Sequence, residues 1–252
     1  MPSILQVEGG HPLRGEITVR GAKNFVPKAM VASLLADTPS ELYNVPLIRD
    51  TDVVSDLLSL HGVQIDFDQD RGTLRMDPSN VKVASRSDID TLAGASRIPI
   101  LFCGPLLHQL GEAFIPELGG CAIGGRPIDF HLETLRKFGA IVDKQPDGVH
   151  IKRPATGLHG AIIELPFPSV GATEQTLLTA VRNEGITTLK GAAIEPEILD
   201  LINVLQKMGA IISVDTDRTI RIEGVAKLTG YRHTALPDRI EAASWAAAAL
   251  AT

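Results

Sequence analysis

Residues 56–77 read DLLSLHGVQIDFDQDRGTLRMD, and the same phrase recurs at 133–153 as ETLRKFGAIVDKQPDGVHIKR and at 203–224 as NVLQKMGAIISVDTDRTIRIEG. Each copy opens with leucines and other apolar residues at helical spacing that end at a glycine, where a left-handed C-cap suits a residue without a Cβ. A short apolar strand, a turn and an alternating second strand follow. The three glycines are Gly62, Gly139 and Gly209. The phrase therefore predicts three copies of a helix–strand–turn–strand unit.

An earlier half precedes each copy, at 15–37, 96–111 and 160–185. Each contains a first helix that is poor in charge and rich in apolar residues, and such a helix is expected to be buried on nearly all sides. A strand follows each helix, so the full unit reads βαβαββ, with GEITVR at 15–20 predicted as the first strand of unit one. We predict an inside-out α/β domain of three repeats with pseudo-threefold symmetry over residues 22–236, with apolar helices inside and sheets outside.

The end of the chain, YRHTALPDRIEAASWAAAALAT at 231–252, has the pattern of a fourth unit: a strand, a Pro-Asp-Arg start and an alanine-rich helix. The helix has no C-cap glycine and no basic residue in its last turn. We expect the sequence to be truncated, with 1–21 and 237–252 as parts of an incomplete second domain. The alternative is a C-terminal helix that docks on the first domain.

Composition excludes several classes of function. The 252 residues carry a net charge of −6, which disfavours binding to nucleic acid or to anionic lipid as the main activity. Two cysteines rule out a disulfide framework and predict a cytoplasmic protein. The chain shows no secretory signal, and its apolar runs are too short to span a bilayer. Seven histidines show no zinc spacing, so neither a metal nor a cofactor is expected.

The first candidate for chemistry is Cys121, which lies in the glycine-rich stretch ELGGCAIGGRPIDFH at 117–131. Such a stretch is typical of a loop, and Arg126 nearby would lower the pKa of the thiol toward reactivity. The alternative is a small apolar side chain beneath a loop. Cys103, within an apolar helix, is predicted to be a core residue.

Two candidate sites for an anion lie at helix starts. Lys23 and Asn24 occupy a turn between a predicted strand and a helix, where backbone amides and an ammonium can meet an anion. Arg97 begins the first helix of unit two, and it is interpreted either as an anion ligand or as an ordinary surface residue. SVGAT at 169–173 is the equivalent turn in unit three, with capping as the alternative. Acidic residues at 195 and 197 are interpreted as caps, and the histidine at 131 as structural.

Five motifs then occur in order along the whole chain: GAKN, GGCAIGGRPIDFH, PSVGAT, EPEILD and LPDRIE. Together with the threefold repeat they resemble the enolpyruvyl transferase family, in particular the amino-terminal portion of the UDP-N-acetylglucosamine 1-carboxyvinyltransferases. The resemblance implies two domains of three βαβαββ units in a longer chain. It also implies transfer of the enolpyruvyl group of phosphoenolpyruvate to the 3-hydroxyl of UDP-N-acetylglucosamine, with release of phosphate, as the first committed step of peptidoglycan synthesis.

The resemblance also implies roles for individual residues. Cys121 would be the lid-loop cysteine that assists transfer and reacts with fosfomycin. Lys23 would be catalytic and, with Arg97 and Arg126, would hold phosphoenolpyruvate. The residues that would contact the sugar nucleotide are Asn24, Pro127, Ile128, Asp129, Ser169, Val170 and Gly171. Phe167 stands where many family members have a lysine, which removes one expected diphosphate contact. The catalytic base would belong to the second domain, beyond this chain.

Two other functions remain open on the sequence. One is 5-enolpyruvylshikimate-3-phosphate synthase, which shares the fold and chemistry but is disfavoured by Cys121 and by the AKN turn. The other is a non-catalytic half-protein that binds a sugar nucleotide or a partner protein.

Overall fold

The structure is a computed structural model that describes residues 4, 6, 8–93, 96–116, 118 and 127–252. Unit one contains α1 (Val26–Ala32), a 3₁₀ turn (Ser33–Leu35), β1 (Ser40–Tyr43), α2 (Arg49–Leu60), β2 (Gln64–Asp68) and β3 (Thr73–Asp77). Unit two contains α3 (Arg86–Ala93), a 3₁₀ helix (Ile98–Phe102), α4 (Cys103–Gln109), β4 (Glu112–Ile115), α5 (Asp129–Lys137), β5 (Ile141–Gln145) and β6 (Gly148–Lys152). Unit three contains β7 (Ile162–Glu164), α6 (Val170–Ala180), β8 (Ile186–Lys190), α7 (Pro196–Lys207), β9 (Ile211–Val214) and β10 (Ile220–Glu223). The chain continues with β11 (Arg232–Thr234) and α8 (Arg239–Ala251).

The repeated glycines have the predicted conformation at the ends of α2, α5 and α7. Gly62, Gly139 and Gly209 have φ of +85°, +90° and +107°. In each unit the N–H of the next residue donates to the carbonyl five residues earlier, at 3.0 Å in all three cases. This bond and the positive φ define a Schellman C-cap, which turns the chain from the helix into the following strand. The prediction of three equivalent helix–strand–turn–strand units is confirmed.

The sheets correct the prediction for the first strand of unit one. The first sheet has the order β11-β1-β3-β2, the second β4-β6-β5 and the third β7-β8-β10-β9. β11 runs parallel to β1, as β7 does to β8, so the edge strand of the first sheet comes from the end of the chain. Residues 15–20, predicted as that strand, form no strand and are largely exposed. β11 occupies this edge instead. Tyr231, directly before β11, is buried, and the hydroxyl of Tyr231 donates to the carbonyl of Ala29 at 2.6 Å, which fixes the strand against α1.

The interior is built from the first helices of the three units, as predicted. All seven residues of α1 are buried, and in α6 every residue from Ala172 to Ala180 is buried. α4 crosses α6 at close range. Gly104 allows this approach, since a Cβ at that position would clash with Oγ1 of Thr179. Cys103 is fully buried and burial raises the pKa of its thiol, which confirms it as a core residue.

The helix α8 differs from the others because each of its side chains is at least partly exposed. Its first turn is nevertheless well fixed. Asp238 caps it by accepting from the N–H groups of Ile240 and Glu241 at 2.8 and 3.2 Å. The start of α8 contacts the first domain, and whether α8 belongs to that domain or to a second one stays a prediction. Within the part of the chain that the structure describes, no helix is both long and apolar enough to cross a bilayer.

Candidate functional site

The turn that carries Lys23 is held from two sides. Its backbone N–H donates to Oδ2 of Asp238 at 2.9 Å, and its ammonium pairs with Oδ2 of Asp50 at 3.2 Å. Burial works against the charge of Asp238, but the N–H groups of Lys23, Glu241 and Ile240 hold the pKa of its carboxyl below the usual range. The side chain of Lys23 is 64% exposed and can therefore reach a ligand. Asn24 is also exposed.

Asp50, in the first turn of α2, connects Lys23 to the segment that carries Arg97. Its Oδ1 accepts a hydrogen bond from Oγ of Ser96 at 2.9 Å. The same Ser96 hydroxyl accepts from the N–H of Ile98 at 3.2 Å, at the start of the 3₁₀ helix. Ser96 is buried, so this connection is shielded from water. One carboxylate thus contacts both the ammonium of Lys23 and the residue that precedes Arg97.

The positive charge of Arg97 also acts on His131 in the first turn of α5. Burial is the main cause that lowers the pKa of His131 to about 4; the side chain of Gln175 opposes this shift, and the positive charge of Arg97 contributes to it. The imidazole is therefore neutral at physiological pH. Its Nε2 lies only 2.8 Å from where a Cβ on Gly171 would stand, so glycine at this position is required by the close approach of the ring. The ring of His131 brings the starts of α5 and α6 together, and its interpretation as a structural residue stays a prediction.

The start of α6 presents backbone amides. The hydroxyl of Ser169 accepts from the N–H of Ala172 at 3.3 Å, and the hydroxyl of Thr173 donates to the carbonyl of Ser169 at 2.8 Å. The first N–H groups of a helix have no intrahelical acceptor, and those of Val170 and Gly171 belong to this set. The helix has eleven residues, so its dipole adds positive potential at this end. The SVGAT turn therefore caps the helix, and its role as an anion site stays a prediction.

The residues predicted to hold the base of a nucleotide lie at the start of α5. Pro127 and Asp129 are exposed and Ile128 is partly buried. The carboxylate of Asp129 pairs with Lys144 at 3.6 Å, a contact that the sequence did not predict. Phe167, placed where the resemblance leads one to expect a lysine, meets the ring of Phe130 edge to face at 5.3 Å. An aromatic pair thus occupies the position where the resemblance would place a lysine.

A second group of charges lies below this surface. Lys28 of α1 pairs with Glu174 of α6 at 3.5 Å, and both side chains are more than nine-tenths buried. Burial raises the pKa of Glu174 to about 7 although Lys28 opposes this. Glu197, interpreted from sequence as a cap, accepts from Nε and Nη2 of Arg239 at 2.9 and 3.3 Å and so ties α7 to α8.

Asp50 thus joins Lys23 to the segment before Arg97, and His131 lies close to Gly171 at the start of α6. Cys121 and Arg126 lie outside the described residues, so their predicted roles stay predictions. Sequence reasoning missed Asp50, Lys28 and Glu174. The signal for the last two was a charge within each of two apolar helices. Among the described residues there is no group of three or more histidine, cysteine or acidic side chains that could hold a metal ion.

Comparison with known proteins identifies the family of the chain. The sequence profile described as EPSP synthase (3-phosphoshikimate 1-carboxyvinyltransferase) matches residues 7–252. The chain belongs to the EPSP synthase family. Within this family, it is similar to the UDP-N-acetylglucosamine 1-carboxyvinyltransferases of Protochlamydia amoebophila, at 43% identity over 99% of the chain, and of Acidiphilium cryptum, at 45% over 98%. These alignments cover 54% and 58% of the two relatives, so the chain spans about half the length of the curated relatives it matches.

Solved structures of the EPSP synthase family agree on the fold. The enolpyruvyl transferase NikO from Streptomyces tendae superposes with a TM-score of 0.83 at 24% identity, covering 94% of this chain and 55% of that one. EPSP synthase from Acinetobacter baumannii superposes with a TM-score of 0.74 at 19% identity, covering 93% and 53%. The inside-out α/β fold is therefore confirmed.

Proposed function

We propose that this chain forms one wall of an enolpyruvyl transferase site, which transfers the enolpyruvyl group of phosphoenolpyruvate to the 3-hydroxyl of UDP-N-acetylglucosamine and releases phosphate. The observation that carries the proposal is the attachment of Lys23 and the Arg97 segment to one carboxylate, beside a helix start that offers free amides. The names of the relatives supply the substrates. The reaction would serve peptidoglycan synthesis, and hence cell shape and division, in the cytoplasm.

Phosphoenolpyruvate carries a phosphate and a carboxylate, and cations suit both groups. In the proposal Lys23 and Arg97 bind this substrate, and Arg126 adds a third cation. Lys23 is the catalytic member, because an ammonium stabilises the charge that develops on the leaving phosphate. Cys121 assists transfer from its glycine-rich stretch and is the position at which fosfomycin would react. No cofactor enters this scheme.

The sugar nucleotide would lie along the starts of α5 and α6. The free amides at the start of α6 favour a diphosphate, and they compensate for the missing lysine at position 167. The exposed ring of Phe167 adds apolar area beside the nucleotide. The contact residues in this proposal are Asn24, Pro127, Ile128, Asp129, Ser169, Val170 and Gly171.

The transfer forms a bond between the sugar 3-oxygen and C2 of phosphoenolpyruvate, and it breaks the bond from C2 to the phosphate oxygen. The hydroxyl proton must be removed by a group within hydrogen-bond reach. Lys23 and Arg97 are cations and cannot serve as that base. In the proposal the base comes from the half of the relatives' length that this chain does not span.

Calorimetric titration of the purified chain tests the substrates. We expect saturable binding of UDP-N-acetylglucosamine and of phosphoenolpyruvate, and no binding of shikimate 3-phosphate. Lys23→Met should remove phosphoenolpyruvate binding while leaving the nucleotide bound. Lys190→Met, an exposed lysine on β8, is the matched control and should change neither. Binding of shikimate 3-phosphate without UDP-N-acetylglucosamine would instead assign the chain to the other branch of the family.

A further inference from the structure

Asp50 uses both oxygens of its carboxylate on groups that belong to different parts of the chain. Oδ2 pairs with the ammonium of Lys23, 27 positions earlier, and Oδ1 accepts from the hydroxyl of Ser96. The carboxylate therefore lies between the turn before α1 and the turn before the 3₁₀ helix. Neither contact is local in sequence, so both depend on the folded arrangement of units one and two.

The contact with Ser96 is more than a surface hydrogen bond. Ser96 is only 3% exposed, and its hydroxyl accepts from the N–H of Ile98 while it donates to Asp50. The hydroxyl thus holds the backbone on both sides of Arg97. The side chain of Asp50 is 22% exposed, compared with 64% for Lys23. The contact between Asp50 and the buried Ser96 is therefore fixed, whereas the exposed ammonium of Lys23 can leave Asp50 to contact a ligand.

We propose that Asp50 is a positioning residue that couples the ammonium of Lys23 to the turn carrying Arg97, so that the two cations face one anion. This inference rests on the proposed function, because the anion is phosphoenolpyruvate. In the free protein the carboxylate holds the ammonium of Lys23 and, through Ser96, the backbone next to Arg97. When the anion arrives, Lys23 transfers its pairing to the anion, and Asp50 keeps the Arg97 turn in place through Ser96.

The sign of the expected effect distinguishes positioning from simple electrostatics. A carboxylate beside an anion site repels the anion, so removing its charge should strengthen anion binding if charge were the only factor. If Asp50 positions the cations, its removal should weaken binding instead. Ser96→Ala adds a second test, because it breaks the Asp50–Ser96 hydrogen bond without changing the net charge.

The experiment compares four variants of the 252-residue chain: Asp50→Asn, Ser96→Ala, the double variant and Asp52→Asn. Asp52 is the matched control, because it is an exposed aspartate in the same first turn of α2. Phosphoenolpyruvate affinity is measured by calorimetry. The ¹⁵Nε resonance of Arg97 is recorded in the free chain, which reports the coupling without any ligand. Thermal unfolding and UDP-N-acetylglucosamine binding are recorded for each variant.

We expect Asp50→Asn and Ser96→Ala each to raise the dissociation constant for phosphoenolpyruvate about tenfold, as expected for loss of a charge-assisted hydrogen bond. The double variant should lose less binding free energy for phosphoenolpyruvate than the sum of the two single losses, because both residues act through the same Asp50–Ser96 hydrogen bond. UDP-N-acetylglucosamine binding should remain. Asp52→Asn should change the constant by less than about twofold, since an exposed charge is screened.

Two outcomes would overturn the inference. One is that Asp50→Asn binds phosphoenolpyruvate more tightly than the unaltered chain does, with a dissociation constant equal to that of Asp52→Asn. The other is an Arg97 resonance in the free chain that is unaffected by Asp50→Asn. If the unaltered chain fails to bind phosphoenolpyruvate, the proposed function fails, while the Arg97 resonance still decides whether Asp50 is coupled to that turn.

Discussion

The helices α6 and α8 are similar in apolar composition and differ in their surroundings. Both are rich in small and apolar residues, and both begin with a side chain that caps the first turn, Ser169 in α6 and Asp238 in α8. Residues 172–180 of α6 are all buried, whereas every side chain of α8 is at least partly exposed. Apolar composition therefore establishes that a helix can be buried, and the surrounding units decide whether it is. In the proposal α8 begins the side of the site that the described domain does not build.

The largest effect expected from this difference is on catalysis. The domain around α6 supplies cations and amides, but the base is proposed to lie in the part of the relatives that this chain does not span. Positioning of both substrates contributes about 7–11 kcal/mol to such a reaction. We therefore expect the chain to release phosphate at least about 10⁵-fold more slowly than the full-length relative from Acidiphilium cryptum. Comparable turnover in a phosphate-release assay would show that the rest of the relative's length is dispensable.

A pair of leucines tests the comparison through stability. Leu177 of α6 is fully buried, and Leu250 of α8 is 90% exposed. Leu177→Ala should lower the free energy of unfolding by about 2–5 kcal/mol, because it removes buried carbon and leaves a cavity. Leu250→Ala should change it by less than about 0.5 kcal/mol. Urea unfolding measures both, and equal losses would mean that α8 is packed in solution.

The buried carboxyl of α6 predicts a dependence of stability on pH. Burial raises the pKa of Glu174 from its ordinary value of 4.5 to about 7 in the folded chain. The folded state therefore binds more protons than the unfolded state between these values, so ionisation costs stability as the pH rises. The expected loss between pH 4.5 and 7 is about 3 kcal/mol.

Glu174→Gln isolates this contribution. The variant should not show the loss of stability between pH 4.5 and 7 that is due to Glu174. The buried histidines should contribute equally to the pH dependence of both proteins. His108 and His131 have pKa values lowered to about 4 by burial, so their contribution rises with pH over part of the same range. Parallel pH profiles for the variant and the unaltered chain would contradict the prediction.

The smallest effect concerns the cap of α6. Ser169→Ala should cost about 1 kcal/mol of global stability, because its hydroxyl satisfies an amide of a helix that belongs to the core. Ser244→Ala is the control. The hydroxyl of Ser244 donates to the carbonyl of Ile240 within the exposed helix α8, so its loss should change global stability by less than about 0.5 kcal/mol. Chemical unfolding of the two variants gives the comparison, and a larger loss for Ser244→Ala would be inconsistent with an exposed α8.

Local patterns predicted the repeated units well. The three glycine caps and the hairpins after them depend on residues within one phrase of sequence, and the structure confirms them. The first strand of unit one was predicted wrongly at 15–20, because alternation in sequence does not say which strand a sheet edge will accept. β11 takes that edge through contacts about 190 residues away in sequence, such as Leu42 with His233.

The residues of the proposed site were named from the sequence, whereas the contacts between them were not. Lys23, Arg97 and the SVGAT turn were named from their places at helix starts. Asp50 was not named, because it is linked to the site only by two contacts that form when the chain folds. Lys28 and Glu174 were likewise missed, since each is an isolated charge until α1 and α6 meet. The roles of Cys121 and Arg126 rest on the resemblance and stay predictions.

One measurement tests the central proposal that the sugar nucleotide binds along the starts of α5 and α6. UDP-N-acetylglucosamine is titrated into the ¹⁵N-labelled chain, and the backbone amide resonances at the starts of α6 and α8 are followed. We predict saturable shifts at Val170, Gly171 and Ala172, with the amides of α8 beyond its first turn unchanged. Shifts confined to α8, or none at the start of α6 at saturating nucleotide, would contradict the account.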